Sequence, residues 1–269
     1  MLFSVAVSAG WLGLALCIEA CGAGEAAGQR IALSTRLEPV SSAESFTTAM
    51  GWNVTLSRAM MSTGPFYYFD GAPPVVQSSR QRAQERWAAA RGALGLSDAF
   101  AHPGHYEAGE ALGQMLQPWS VDLLAGAADL PAGEGVTGLY RSASFSFTAP
   151  PEGPLAGDLN GHAVIVEGTA AREGTLPVRF VATADLSDIE RSAANGYVDG
   201  CQFDELDIQG DGLVTVQVTP KVWFDLVDFS ELVPAGDQPV EFPPDSQPKI
   251  AFALGLAQLS AYEFSFSAP

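Results

Sequence analysis

Cysteine, histidine and basic side chains are scarce in this chain, and each scarcity excludes something. Of the three cysteines, Cys17 and Cys21 lie in an apolar leader, which leaves Cys201 alone in the body of the protein. One thiol cannot close an internal disulfide, so the fold must be held by its core. Acidic residues around Cys201, Asp199 among them, disfavour its thiolate and make a packed, inert cysteine the expectation. Lysine and arginine total 13 against 31 acidic residues, a formal net charge of −18. That balance argues against nucleic acid and anionic membrane surfaces as partners, because phosphate recognition needs clustered cations. The recognisable catalytic signatures are also missing: there is no G-x-S-x-G elbow, H-E-x-x-H pair, P-loop or helix-opening G-x-G-x-x-G. No fixed-period repeat points to a solenoid or propeller.

What the chain does have is apolar bulk and turns. Hydrophobic residues make up 47% and charged residues 16%, with 28 glycines and 18 prolines. This is the composition of a folded domain rich in β structure and turns. The first twenty residues resemble the apolar region of a secretory signal, without its basic start. Ile18-Glu19-Ala20-Cys21 is similar to a bacterial lipobox, with Leu14-Ala15-Leu16-Cys17 as a second candidate; Glu19 and Leu16 depart from the pattern. The expectation is therefore a signal peptide over 1–21, lipidation of Cys21 and a small-residue linker over 22–30. A cleaved signal without lipid is the alternative. Either way the protein is expected to be exported by a bacterium, periplasmic or anchored to the outer membrane, touching membrane through the lipid alone.

The remainder, 31–269, reads as one domain. Ile31–Leu37, Trp52–Leu56, Ser142–Thr148, His162–Gly168, Leu176–Ala184 and Tyr262–Ser267 alternate apolar and polar residues, the period of a half-buried strand. Ser57–Met61 either continues its strand or turns helical. Phe66-Tyr67-Tyr68-Phe69, closed by Asp70-Gly71, is an aromatic strand, of core residues or of a partner-binding face. Phe203–Gln209 and Leu213–Thr219, joined by Gly210-Asp211-Gly212, read as a hairpin. Ala251–Leu259 reads as a short helix. Ser79–Leu94, rich in Ala, Arg, Gln and Glu, is the clearest helix, and Glu107–Met115 suggests one or two further turns. The fold expected is mainly β, an antiparallel β-sandwich of immunoglobulin-like or jelly-roll-like kind, with a helical insertion at about 77–126.

The motif that points to chemistry is Ala101-His102-Pro103-Gly104-His105-Tyr106. Pro and Gly at its centre suit a type II turn, which converges the two imidazoles. Imidazole nitrogen suits copper or zinc. Glu110 and His162 are the candidates to complete the set, with Met60, Met61 and Met115 as soft donors. A backbone-bonding turn with no ion is the alternative. Asp207–Gly212 lacks the ligands of a calcium loop, Val218 standing where the closing Glu belongs.

Glu167-Gly168-Thr169-Ala170, Gly210-Asp211-Gly212 and Val222-Trp223-Phe224-Asp225-Leu226-Val227-Asp228-Phe229 make the C-terminal half, about 140–269, similar to periplasmic copper-binding proteins of the methanobactin-associated type and to related bacterial lipoproteins. The resemblance implies a β-sandwich and metal handling outside the cytoplasm; it assigns no ligand. The expectation is a lipoprotein that binds a metal ion, copper first, without catalysis. A cell-surface binding or scaffold module without metal is the alternative. A hydrolase built on His105 or His162 would need a serine or carboxylate within hydrogen-bond reach of the ring.

Overall fold

The computed structural model describes residues 28–73, 108–191, 197–233 and 238–269. The leader expected over 1–21 with Cys21, the helix expected at 79–94, and His102 and His105 lie outside these.

One strand organises the rest. β3 (Asn53–Phe69) is 17 residues long and joins two segments that read separately in sequence. Ser57–Met61 continues the strand. Its alternation fades from Ala59 to Thr63 because both faces of β3 are buried there.

The second half of β3 belongs to a closed ring. Its neighbours there are β4 (Ala111–Met115) and β8 (Gly138–Phe147). From β4 the ladder continues through β7 (Gly133–Val136), β1 (Arg30–Pro39), β12 (Gly212–Val218), β14 (Tyr262–Ser267) and β11 (Tyr197–Ile208), and β11 pairs back with β8. Eight strands therefore close on themselves, which removes edges from this part of the sheet. The first half of β3 belongs to an open extension. β9 (Val164–Ala171), β10 (Val178–Ala184) and β13 (Val240–Glu241) follow one another outward from it. β2 (Ser45–Thr47) and β5 (Trp119–Asp122) flank the other edge of β3, and β6 (Ala128–Asp129) pairs with β1.

Mainly β is therefore correct, but the ladders form one mixed sheet of 14 strands rather than purely antiparallel ones. β1 with β12, β11 with β14, and β10 with β13 are parallel pairs. β11 and β12 are not a hairpin, because β14 inserts between them, parallel to one and antiparallel to the other. Glu107–Met115 is not helical where it is described. Residues 111–115 form a strand between β3 and β7, and 119–122 another, so tertiary pairing overrides the local helix preference of Ala, Leu, Gln and Met. The described part of the expected helical insertion is thus β.

The ring is filled. Phe66, Tyr68, Tyr140, Phe145, Phe203 and Phe264 are fully or almost fully buried inside it and pack ring against ring, Phe203 meeting Tyr68, Tyr140 and Phe264. Three buried hydroxyls of the ring find partners: Thr35 Oγ1 and Tyr68 Oη are 2.7 Å apart, and Tyr140 donates towards the Val136 carbonyl at 2.8 Å. Gly135 makes room for this, since a Cβ there would stand 2.6 Å from both Leu33 Cδ1 and the Tyr140 hydroxyl. Over the open extension lie α1 (Leu186–Glu190), α2 (Pro220–Phe224) and α3 (Gln247–Leu256). Phe224 of α2 and Phe252 of α3 interlock with Phe180, Phe229 and Phe242.

Candidate functional site

The β9–β10 ladder ends on the pair Val164 with Ala184, and the Ala163 N–H still donates to the Ala184 carbonyl. Continued one step, this register sets Ala163 opposite Asp185, which leaves His162, the next residue, within reach of the Asp185 side chain. His162 Nδ1 lies 2.7 Å from Asp185 Oδ1. A carboxylate can only accept, so in the neutral ring Nδ1 carries the proton and Nε2 carries the lone pair. The His162 side chain is 31% exposed and that of Asp185 53%, so solvent and ions reach the pair.

Asp185 is itself held. It is the N-cap of α1, and its N–H donates to Asp188 Oδ2 at 3.0 Å, while the Asp188 N–H donates back to the Asp185 carbonyl. The Asp188 side chain is only 10% exposed and is paired with Lys249, at 3.0 Å, and with Arg191. Burial pushes the Asp188 carboxyl up, but hydrogen bonds from the Asp185 N–H, Lys249 and Arg191 outweigh this and hold it below its ordinary value. Lys249, on α3, also donates to the Thr183 carbonyl at 2.7 Å. A buried carboxylate with two cations and a backbone donor is a rigid support.

The other expected donors are dispersed. Glu110 follows Ala108 and Gly109 at the far end of β3, where its carbonyl accepts from the Asp70 N–H. His162 stands instead beside the middle of that strand, because the Ser62 N–H donates to the Ala163 carbonyl. Eight positions along a strand amount to roughly 25 Å, so the structure does not bring Glu110 and His162 together. Glu110 lines a shallow groove of about 500 Å³ with Arg30, Gln114 and Glu134. Met61 and Met115 are fully buried in the main core, and Met60 is buried with Leu159 and Ile165, so none of the three sulfurs faces His162 from solvent. Among the described residues no group of three or more His, Cys, Asp or Glu could hold a metal ion.

The aromatic run divides by strand parity. Phe66 and Tyr68 are core, while Tyr67 and Phe69 point the other way and stay half-buried, 6.4 Å apart. It is not an exposed aromatic platform. Cys201 is buried, and burial with nearby Asp199 pushes its thiol well up, which makes it inert as expected. Asp211, in the loop that lacks the ligands of a calcium site, accepts from the Ala32 N–H at 2.8 Å and so anchors β1.

Asp185, Asp188 and Lys249 were missed from sequence. The available signal was Asp185 three residues before Asp188, the spacing of a helix-start box, though nothing local connects it to His162. Among the described residues no Ser, Thr or Cys is hydrogen-bonded to the imidazole, and no helix is long and apolar enough to cross a membrane. No protein-family model matches the chain, no curated protein matches it significantly, and no solved structure matches it significantly.

Proposed function

We propose that this chain is a non-catalytic metal-binding protein and that His162 supplies a ligand to a copper or zinc ion through Nε2. The observation that supports it is the 2.7 Å contact of His162 Nδ1 with Asp185. A carboxylate behind an imidazole fixes the tautomer that leaves the lone pair on Nε2, the arrangement that metal-binding histidines use. A nucleophile beside the ring would favour hydrolysis instead, and none of the described hydroxyls or thiols bonds it. His102 and His105 are proposed as the other imidazole donors, and Glu110, at the far end of β3, is left out of the set. Export, lipidation of Cys21 and residence in the periplasm or at the outer membrane belong to the same proposal. So does a reading of the sandwich as a flattened ring whose two walls face each other.

The test is calorimetric titration of the full chain with Zn²⁺ and Cu²⁺. His162→Ala is expected to weaken uptake at least tenfold. Uptake unchanged in the triple variant His102→Ala/His105→Ala/His162→Ala rejects the proposal. One observation favours a second reading, a metal-free binding module. Ile250 and Leu254 are 50% and 39% exposed on one face of α3. Failure of metal binding together with retention of the fold would favour it.

A further inference from the structure

The geometry points to Lys249 as the residue that positions the His162–Asp185 pair, acting from α3 without touching the imidazole. This rests on the reading of His162 as a metal ligand and deepens it. Lys249 has three donors, and the structure gives them two destinations on either side of Asp185. One is Thr183, whose carbonyl is 2.7 Å and whose hydroxyl is 3.3 Å from Nζ. The other is Asp188 Oδ2, at 3.0 Å. Thr183 is the penultimate residue of β10, and Asp188 sits in the first turn of α1. The ammonium therefore clamps the corner formed by Ala184 and Asp185. Asp188 Oδ2 passes the restraint on by accepting the Asp185 N–H at 3.0 Å. With its backbone pinned from both sides, Asp185 presents Oδ1 to His162 Nδ1 in one direction.

The Lys249 side chain is only 13% exposed, so it is committed to this corner rather than to solvent. Arg191, the other cation on Asp188, is 66% exposed and caps the C-terminal end of α1 itself. It neutralises the carboxylate but does not tie α1 to β10. A purely stabilising lysine would be interchangeable with any group that keeps α3 docked. A positioning lysine is not interchangeable, because loss of the clamp frees the carboxylate to leave the ring.

The experiment compares wild type with Lys249→Met, Asp185→Asn and their double variant, using Zn²⁺ as the probe and the metal-free full chain as the second sample. Supporting-residue losses of this kind run at about ten- to a hundredfold in metal affinity. Lys249→Met is expected to weaken Zn²⁺ binding about tenfold, and to add nothing in the Asp185→Asn background. In the metal-free protein, long-range ¹H–¹⁵N spectra should show His162 protonated at Nδ1 in wild type and a mixture of tautomers in Lys249→Met. Asp188→Asn, which keeps an acceptor for the Asp185 N–H but loses the charge for Lys249, should behave the same way. It serves if Lys249→Met does not fold. Unchanged tautomer populations in a folded variant overturn the inference, as does a Zn²⁺ loss additive with that of Asp185→Asn. If wild type binds no Zn²⁺, the metal reading falls, and the tautomer measurement still decides the role of Lys249.

Discussion

The buried polar side chains set how this protein answers to pH. Burial is the main cause in three tyrosines. It pushes Tyr140 up to about 12, and it pushes Tyr68 and Tyr262 up as well. Exposed tyrosines ionise near 10. The raised values stabilise the fold fully below about pH 10, and that contribution fades as pH climbs through the folded values. In a spectrophotometric titration at 295 nm, these three of the six tyrosines should stay silent at pH 11 and ionise only as near-ultraviolet dichroism is lost. Six tyrosines titrating together near pH 10 in a protein of native dichroism would refute this. Asp188 works in the opposite sense. Its depressed carboxyl contributes stability above about pH 4, the ordinary carboxylate value, which is lost as pH falls through the lower folded value. Asp188→Asn should therefore flatten the acid limb of the stability curve, and an acid limb of unchanged slope would show that other carboxylates carry it.

Whether an element was legible depended on how local its cause was. β1 and β14 match their alternating segments because each has one buried and one open face, which the residues spell out. β3 was broken into pieces because Ala59–Thr63 is buried on both sides where the strand passes from open sheet to ring. The β11–β12 hairpin was wrong for a non-local reason: the strand that separates them begins 44 residues after β12 ends, at Tyr262 rather than Val218. His162 was legible as a rare histidine. Asp185 was not, since only the β9–β10 register makes the two neighbours. α3 was anticipated from Ala251 onward, but its closeness to α2 was hidden. A Cβ on Gly255 would lie 2.4 Å from the Trp223 carbonyl oxygen and 2.7 Å from its Cα, both rigid backbone atoms. Gly255→Ala raises helix propensity, which alone would stabilise by up to about 1 kcal/mol. Overpacking costs about 1–3 kcal/mol, so the crowding wins and the variant should unfold at lower urea concentration. A midpoint equal to or above wild type would mean that α2 and α3 separate easily.

At the scale of the molecule, the ring and the open extension share β3 and one continuous apolar cluster that runs from Tyr68 and Phe203 to Phe180 and Phe252. Neither half has an independent way to end β3, because the strand's two stretches are bonded to different neighbours along one backbone. Opening the ring would strip β3 of β4 and β8 and expose the aromatic interior. Opening the extension would expose Val54 and Leu56 on the same strand together with the phenylalanines under α3. Coupling of this kind predicts one cooperative transition despite two architectural parts. Phe203→Ala in the ring and Phe180→Ala in the extension should each cost about 3–5 kcal/mol, the range for deleting a buried aromatic side chain. Each should shift a single calorimetric peak, with calorimetric and van't Hoff enthalpies remaining equal. If Phe180→Ala instead splits the transition and leaves a second peak at the wild-type temperature, β3 does not transmit stability between the halves. The ring would then be a unit of its own.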